Sequence, residues 1–399
     1  MAQTNVSTLP VVHEDLSDEL AVINAAATLF TSTCPRGAAA ENSEFKFAMD
    51  KHKPGRLGGL AEGTSVDRAN VTNFLEDRKQ HSGIVQEFRE QYGVSKRVSV
   101  TMKPAGVSDA YNESEEKAMV TMKEDMELTF LSQQEAQTGS TSAAYLSWGV
   151  SRTIDSSAQP NLPVDAAFRP SANNVLARNA VTDITEADMS LMIQRLFEAK
   201  KTGVDAKCFC TPDFATRFDS FFKEHSTSGS TVPVRSFQFA GGATMYEQAV
   251  TSYKTRFGKV DIIPTLLLNG VRGAASLAGA ATTNTSTTVT VTSTAGLQKF
   301  MRIYGTGIPA GAHIVSITNA TTFVISAAAT ATGSPTLRLG ELDHALFLDM
   351  SVLELKINQA PQSTDLSADG SGQQGFLDTF TALCNRLPIV HGKINTSAA

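Results

Sequence analysis

The chain has 399 residues, a net charge of −6 at pH 7, 41% hydrophobic residues and 19% charged residues. This length allows two or three domains with a substantial buried core. The negative charge argues against a protein that wraps nucleic acid through a general basic field, although a local basic face is compatible with it. The low charge and the 28 glycines indicate much loop and β structure, with surface that is hidden in an assembly.

Cysteine usage and the N-terminal residues narrow the class of protein further. The four cysteines, Cys34, Cys208, Cys210 and Cys384, form no C-x-x-C pair, which excludes a zinc ribbon and a thioredoxin-like site. We expect them to be buried free thiols. The chain begins without a signal-peptide pattern, and no window reaches the roughly 18 apolar residues of a membrane span. The sequence therefore predicts a soluble protein made in the cytoplasm.

The first part of the chain is predicted to be an arm and an extended loop. Residues 1–44 form the arm, with a short amphipathic helix that ends at the break Cys34-Pro35. Residues 45–111 form a polar loop, and from Glu62 to Met102 large apolar residues are too few for a core. We expect a long two-stranded excursion that stays unburied until a neighbouring copy covers it. The alternative is an ordinary disordered loop. The arm helix is marked by Leu16, Leu20, Ile23, Ala27 and Phe30.

Residues 112–135 predict one long, isolated amphipathic helix. Asn112 is the predicted N-cap, with Glu115 three residues on and further glutamates in the first turn, where the helix dipole favours anions. An apolar stripe of helical period follows at Met119, Met122, Met126 and Phe130. Residues 112–184 are assigned to this helix and the peripheral structure around it.

Residues 185–275 have the pattern of a compact α/β core. A helix begins after Thr185, which caps it with Asp188 at the third position, and Gly203 ends it. Its inward face is predicted to carry Met189, Met192, Ile193, Leu196 and Phe197. The other predicted elements are a strand at 207–211, a helix that opens at Thr211-Pro212 with Phe214, Phe218, Phe221 and Phe222 inward, and paired strands at 245–253 and 259–263.

The composition changes sharply in residues 276–339, which contain no Asp or Glu and only Lys299, Arg302 and Arg338 as cations. Short β-branched alternations separated by Gly and Pro predict a small all-β sandwich of Ig-like type, inserted at the surface as a unit. Residues 340–399 close the fold. They contain two strands within 344–358, a Gly/Ser loop at 367–375, and a final strand pair at 376–383 and 388–394.

No arrangement of residues in the sequence indicates catalysis. The seven histidines are scattered, and no H-E-x-x-H, G-x-S-x-G, Walker or dinucleotide-binding pattern occurs. We therefore predict no catalytic residue, no cofactor and no metal site. A basic cluster suits subunit carboxylates or nucleic-acid phosphates, and a solvated face is the equal alternative. This cluster consists of Lys51, Lys53, Arg56, Arg68, Arg78 and Lys79.

The order of these parts resembles the major capsid protein of tailed phages, the Johnson fold, and more narrowly the podophage-type proteins with an inserted domain. Each segment is a weak signal alone, and their order along the chain carries the resemblance. The matching segments are Glu44-Phe45-Lys46-Phe47, Glu62-Gly63, Gln86-Glu87-Phe88, Val94-Ser95, residues 123–127, Thr185-Glu186-Ala187, Gly258-Lys259-Val260, Ile263-Pro264, and Leu346, Leu348 and Asp349. Phe45 and Phe47 depart from the family, which more often has tryptophan there.

The resemblance implies an α+β shell subunit with an N-terminal arm, an extended loop, a spine helix, and peripheral and axial domains. It implies hexamers and pentamers of an icosahedral head, assembled in the host cytoplasm and without a membrane. The implied partners are a portal, a scaffolding or decoration protein, and packaged double-stranded DNA at the inner surface. Two other classes stay open: a tail or adhesin protein that binds host glycan, and an enzyme, with a protein-only nanocompartment shell as a related variant. The candidate assembly-interface residues are Glu62, Arg68, Arg78, Gln86, Phe88, Arg97, Glu113, Glu116, Lys123 and Asp125.

Overall fold

The computed structural model describes residues 27–52, 55, 57–58, 62–63, 78–96, 109–141, 143–154, 164–178, 181–221, 251–268, 276–294, 297, 303–309, 312–339, 343–366 and 372–396. Its α-helices are α1 (Leu29–Thr33), α2 (Ala110–Leu131), α3 (Val150–Thr153), α4 (Glu186–Lys200) and α5 (Pro212–Ser220). Short 3-10 helices lie at Ala166–Phe168, Ala172–Asn174, Val181–Asp183 and Pro388–Val390.

The strands before residue 270 are β1 (Arg36–Gly37), β2 (Glu44–Met49), β3 (Lys79–Ile84), β4 (Gln86–Ser95), β5 (Val175–Arg178), β6 (Val204–Cys210), β7 (Ser252–Thr255) and β8 (Gly258–Pro264). The later strands are β9 (Ser276–Leu277), β10 (Thr288–Thr290), β11 (Ile303–Tyr304), β12 (Ile314–Asn319), β13 (Thr322–Ile325), β14 (Leu337–Leu339), β15 (Asp343–Leu348), β16 (Leu353–Leu366), β17 (Gly372–Asn385) and β18 (Gly392–Thr396).

The long helix α2 packs on a four-stranded sheet with the order β1-β16-β17-β4. Met122 and Phe130 of the predicted stripe are buried against this sheet, and Met119 and Met126 are partly buried beside them. The helix is therefore not isolated. It also starts earlier than predicted, because Asp109 is the N-cap and its carboxylate accepts a hydrogen bond from the Tyr111 backbone N–H.

Strand β4 corrects the prediction that the segment from Glu62 to Met102 stays unburied. The strand pairs antiparallel with β17 over ten residue pairs, from Gln86 opposite Thr381 to Ser95 opposite Gly372. Its alternate side chains Phe88 and Tyr92 are each 6% exposed and lie under α2. The described part of this segment at 79–95 thus belongs to the core of its own subunit. Most of residues 53–77 and all of residues 97–102 lie outside the described residues.

The second core lies around a six-stranded sheet with the order β5-β18-β15-β6-β8-β7. Helices α4 and α5 pack on it with buried Met, Ile, Leu and Phe side chains. The capping box at Thr185 and Asp188 is present as predicted, but α4 ends at Lys201, which adopts the left-handed conformation, and not at Gly203. The predicted hairpin is confirmed as β7 and β8, which join through Arg256 and Phe257. Phe222 and residues 245–250 lie outside the described residues.

Residues 276–339 form a separate β unit with its own core. Two three-stranded sheets, ordered β10-β13-β12 and β11-β14-β9, enclose buried side chains that include Phe323, Ile314 and Leu337. Entry strand β9 pairs with exit strand β14, so the two ends of the unit lie side by side. We call this unit the β module. Its relation to Ig-like domains stays a prediction.

The closing strands follow a different pairing from the predicted one. Strand β17 pairs with β16 and β4, whereas β18 pairs with β15 and β5 in the six-stranded sheet. The predicted final strand pair at 376–383 and 388–394 is therefore wrong, because its members separate at the Pro388–Val390 turn and enter different sheets. Strands β16 and β17 instead form one long hairpin.

Candidate assembly surfaces

The four-stranded sheet has one face under α2 and a second face that points away from it. On β4, Phe88 and Tyr92 point to α2, and Phe88 meets Phe130 with ring centroids 5.8 Å apart. Because side chains alternate along a strand, Arg89 and Gln91 point to the opposite face. We call this opposite face of the sheet the outer face.

A two-stranded ribbon, formed by β2 and β3, covers the half of the outer face next to Asn385. Phe45 packs there with Val85 and with Ala382 and Cys384 of β17. Gly83 of β3 lies directly under the Phe45 ring, and a Cβ atom at this position would overlap that ring. Lys356 adds its ammonium group at 5.2 Å from the Phe45 ring centroid. Phenylalanine therefore fills the anchoring position where the resembled family more often has tryptophan.

The other half of the outer face is an open groove of about 710 Å³. Its floor carries Phe376, and the Arg89 guanidinium lies over the Phe376 ring at 5.0 Å from the centroid. Arg89 also pairs with Glu87 at 2.5 Å, and both side chains are substantially exposed. Leu366 at the rim is 48% exposed. We call this feature the sheet groove. It combines a partly exposed apolar floor with cationic and amide groups.

The chain between β2 and β3 leaves the ribbon at the end of the sheet far from the sheet groove. Met49, the last residue of β2, is buried with Trp148, Phe168 and Leu387, and Leu387 follows the end of β17 near Asn385. The sheet groove lies at the other end of β17, around Phe376. At about 3.4 Å per residue these two ends are roughly 30 Å apart. Leu57, within this excursion, is completely exposed.

The N-terminal arm is held by the spine helix and by β16. Glu127 of α2 is fully buried, and its carboxylate accepts hydrogen bonds from the backbone N–H groups of Phe30 at 2.6 Å and Thr31 at 2.7 Å. Burial raises the pKa of Glu127, and those hydrogen bonds oppose the shift. Phe30 packs edge-on against Phe209 of β6, with centroids 5.5 Å apart. The arm thus ties α2 to the six-stranded sheet.

Two of the predicted interface residues lie inside the subunit. Gln86 is buried, and its side-chain oxygen accepts hydrogen bonds from Gln134 at 2.7 Å and from the Ser147 N–H at 3.0 Å. Phe88 is buried under α2. Their prediction as contacts to a neighbouring copy is corrected, because both side chains are already enclosed by their own chain.

The remaining candidates are spread over the surface. Arg78 pairs with Asp50 at 3.1 Å beside the ribbon end, and both side chains are exposed. Glu113 accepts from Lys117 one turn further along α2 at 2.5 Å. Glu62, Glu116 and Lys123 are exposed, whereas Arg68 and Arg97 lie outside the described residues.

Asp125 differs from the other candidates because it is half-buried between α2 and β4. Burial, the hydrogen bond to Glu90 and the nearby charge of Glu124 raise the pKa of Asp125 to about 6. This carboxyl group therefore takes part in the packing of helix on strand. The sheet-groove residues Arg89, Phe376 and Leu366 were not predicted. The alternation of exposed and buried residues from Gln86 to Tyr92 is the signal that would have found Arg89.

The described residues contain no group of three or more His, Cys, Asp or Glu side chains that could hold a metal ion. All four cysteines are buried, and burial raises the pKa of the Cys34 and Cys384 thiols to about 12. Burial also lowers the pKa of His81 and His391 to about 4. The two thiols therefore stay protonated near neutral pH, where a thiol is a poor nucleophile. Within the described chain, no helix has the length and apolar character of a membrane span.

The β module contacts the body where α2 ends. Glu135, just after α2, is buried and forms an ion pair with buried Arg152 of α3. His313 of the β module places its Nε2 atom 3.7 Å from the same Glu135 carboxylate. The β module therefore contacts a buried charge pair of the body, next to the end of the spine helix, through His313.

Solved structures of phage capsids share this architecture over nearly the whole chain. The capsid of the cyanophage P-SCSP1u aligns with a TM-score of 0.54 and 10% identity, covering 100% of this chain and 96% of that one. A structure from Mycobacterium phage Ogopogo aligns with a TM-score of 0.52 and 8% identity, covering 99% and 100%. The mature capsid of bacteriophage PhiM1 aligns with a TM-score of 0.50 and 11% identity, covering 97% and 91%. The fold is that of the subunits that build tailed-phage heads.

The sequence itself places the chain within this class. The family described as SU10 major capsid protein matches residues 2–280, which is more than half of the chain. The chain belongs to the SU10 major capsid protein family. It is a major capsid protein of a tailed phage, a structural component of the icosahedral head, and the tail, adhesin and nanocompartment alternatives are not favoured. No curated protein matches the sequence.

Proposed function

We propose that this subunit forms hexamers and pentamers that enclose double-stranded DNA, and that each subunit's excursion between β2 and β3 occupies the sheet groove of the next. The contact is head-to-tail, with different surfaces on the two partners. Such contacts form a closed ring when the rotation from one subunit to the next divides a full turn evenly. Residues 180–270 and 341–360 are the proposed axial region at the capsomer centre. Each contact is modest, and its repetition in the lattice stabilises the shell.

The observation that carries this proposal is that the excursion and the rim of the sheet groove each leave an apolar side chain exposed, at Leu57 and Leu366. The 28 residues after Met49 and up to Asp77 leave the ribbon at the end of the sheet remote from the sheet groove. Half of this number of residues, fully extended, spans about 45 Å at roughly 3.3 Å per residue, which is long enough to reach a neighbouring subunit. Leu57 is fully exposed and Leu366 at the rim of the groove is 48% exposed, whereas Phe376 on the floor is partly covered by Arg89. Apolar groups left exposed on both parts favour contact in an assembly.

The other proposed partners rest on the family's role in the virion. We propose a portal and a scaffolding or decoration protein as partners, DNA against the inner surface, and assembly in the host cytoplasm. We propose no enzymatic activity for the chain. The basic residues Lys51 and Arg78 near the ribbon end remain candidates for carboxylate or phosphate contacts, and Arg78 already has Asp50 as a partner.

The test replaces residues 53–77 with a short Gly/Ser linker. A short linker can join the two strands because Met49 and Lys79 lie opposite each other in the β2–β3 ribbon. We expect a soluble, folded subunit that forms no closed particles, measured by sedimentation velocity and negative-stain electron microscopy. A deletion of 62–100 would not serve, because it removes β4 and hence Phe88 and Tyr92 from the core.

The matched control is a Gly/Ser linker of the same length as residues 53–77, which keeps the reach of the chain and removes its side chains. It should also fail to assemble if side-chain contacts in the groove matter. Closed particles in normal yield from the short-linker variant would overturn the proposed tie between subunits. If the unaltered chain, supplied with its proposed scaffolding and portal partners, formed only small soluble oligomers, the proposed hexamers and pentamers would be refuted.

A further inference from the structure

Strand β12 of the β module is an edge strand with an uncovered outer side. It lies at one end of the sheet β10-β13-β12, and β13 is its only strand partner among the described residues. After the buried Ile314, each of its residues is exposed. Val315 and Ile317 are 39% and 40% exposed, although both are β-branched apolar residues that favour buried strands. The strand thus presents exposed apolar side chains along an edge of the sheet.

The usual protection of an edge strand by charge is missing here. Natural proteins place Lys, Pro or inward-pointing charges on exposed edges to prevent pairing with other chains. Residues 314–319 contain neither a charged residue nor a proline, and residues 276–339 contain no Asp or Glu at all. Two register irregularities, after Ile314 and after Ile317, limit the regular part of the strand to its centre. Shortness and register irregularities also protect edge strands, so pairing is confined to the regular centre of β12.

We propose that β12 pairs antiparallel with the β12 strand of a second subunit, across a two-fold axis between neighbouring capsomers. This inference rests on the proposed shell function. Antiparallel pairing of a strand with its own copy is an isologous contact, which needs a two-fold axis and no other segment. Residues 314–319 carry no charged side chain, so two copies of the strand approach without direct like-charge repulsion along the strand.

The short regular centre of β12 also fixes when the contact forms. A pairing of a few residues is too weak to hold two free subunits together. In a shell the neighbouring module is held nearby, so its effective concentration is high and the same contact becomes populated. We therefore expect β12 pairing in assembled particles and not between dilute subunits.

The test places single cysteines at the centre of β12 in the full-length chain, Ser316→Cys and, separately, Ile317→Cys. In a two-fold antiparallel pair the central residue faces its own copy at about 4.5–5.5 Å between Cα atoms, within disulfide range. Thr288→Cys is the matched control, because Thr288 is exposed on β10, the opposite edge of the same sheet. The native cysteines are buried and do not compete.

Purified particles are oxidised with glutathione disulfide and analysed on non-reducing gels. At least one β12 variant should give roughly tenfold more covalent dimer than Thr288→Cys, and dilute unassembled subunits of that variant should give none, because effective concentration drives the contact. Dimer yields equal to the control in well-formed particles would overturn the inference and leave the shell function intact. A β12 adduct to a different virion protein, identified by mass, would also overturn it in favour of a decoration partner. Absence of particles from the unaltered chain supplied with its proposed scaffolding and portal partners would instead refute the proposed hexamers and pentamers.

Discussion

Phe88→Ala measures whether strand β4 belongs to the core of a single subunit. Phe88 is 6% exposed and contacts Phe130, which is fully buried, with ring centroids 5.8 Å apart. Truncation of a buried phenylalanine costs about 3–5 kcal/mol, which includes the cavity and the lost aromatic pair. The free energy of unfolding of a typical domain is about 5–15 kcal/mol, so this loss is a large fraction of it.

The assay is urea unfolding of unassembled subunits, monitored by tryptophan fluorescence and far-UV circular dichroism. The variant with residues 53–77 replaced by a short linker is the background, because it is expected to stay unassembled. With a urea m value of about 3 kcal/mol/M, Phe88→Ala should lower the midpoint by roughly 1 M or more. Gln91→Ala is the control. Gln91 lies on the same strand, is exposed on the outer face, and should change stability by less than about 0.5 kcal/mol.

A small effect of Phe88→Ala would refute this argument. If the two variants differed by less than about 1 kcal/mol in the unassembled subunit, β4 would not be packed under α2 until assembly. The strand would then behave as the sequence pattern predicts, as part of an arm that a neighbouring copy must cover. A large effect seen only in assembled particles would lead to the same conclusion.

Two further predictions concern pH and the β module. Burial lowers the pKa of His391 to about 4. As the pH falls, the unfolded state therefore binds a proton at this imidazole before the folded state does. The free energy of unfolding should fall by up to about 3 kcal/mol as the pH drops from about 6.5 to about 4. His81 contributes in the same window, and His391→Gln should remove a substantial part of the slope in urea midpoints measured against pH. Replacement of residues 276–339 by a short Gly/Ser linker should keep the unfolding midpoint of the remaining core, because β9 and β14 bring the ends together. Loss of the core circular dichroism signal would show that the β module is integral to the fold.

The elements that the sequence predicted well are those set by local signals. Helix α4 has its cap at Thr185, a reciprocal bond with Asp188 and an inward stripe from Met189 to Leu196, all within 15 residues. Its end was missed because Lys201, a residue with a side chain, adopts the left-handed conformation that Gly203 was expected to supply. For α2, Asp109 and Asn112 both suit an N-cap, and the local pattern does not choose between them.

The candidate interface was predicted poorly because it depends on pairing between distant segments. Gln86 and Phe88 lie in a polar stretch that resembles an exposed arm, and only β17, far along the chain, reveals which of their side chains are enclosed. The same pairing brings Arg89 next to Phe376 and creates the sheet groove. Strand register is set by contacts between distant segments, which a pattern of charged residues does not reveal. That pattern selected residues such as Arg78 and Glu113, which have partners on their own chain.

The burial of β4 changes what holds the shell together without removing the need for neighbours. Because Phe88 and Tyr92 are satisfied within the subunit, the free energy of assembly must come from surfaces that remain open after folding. The described residues provide two of these, the sheet groove with Phe376 and the β12 edge with Ile317. In the two proposals above, the first surface accepts a different segment and suits rings of subunits, and the second accepts its own copy and suits links between rings.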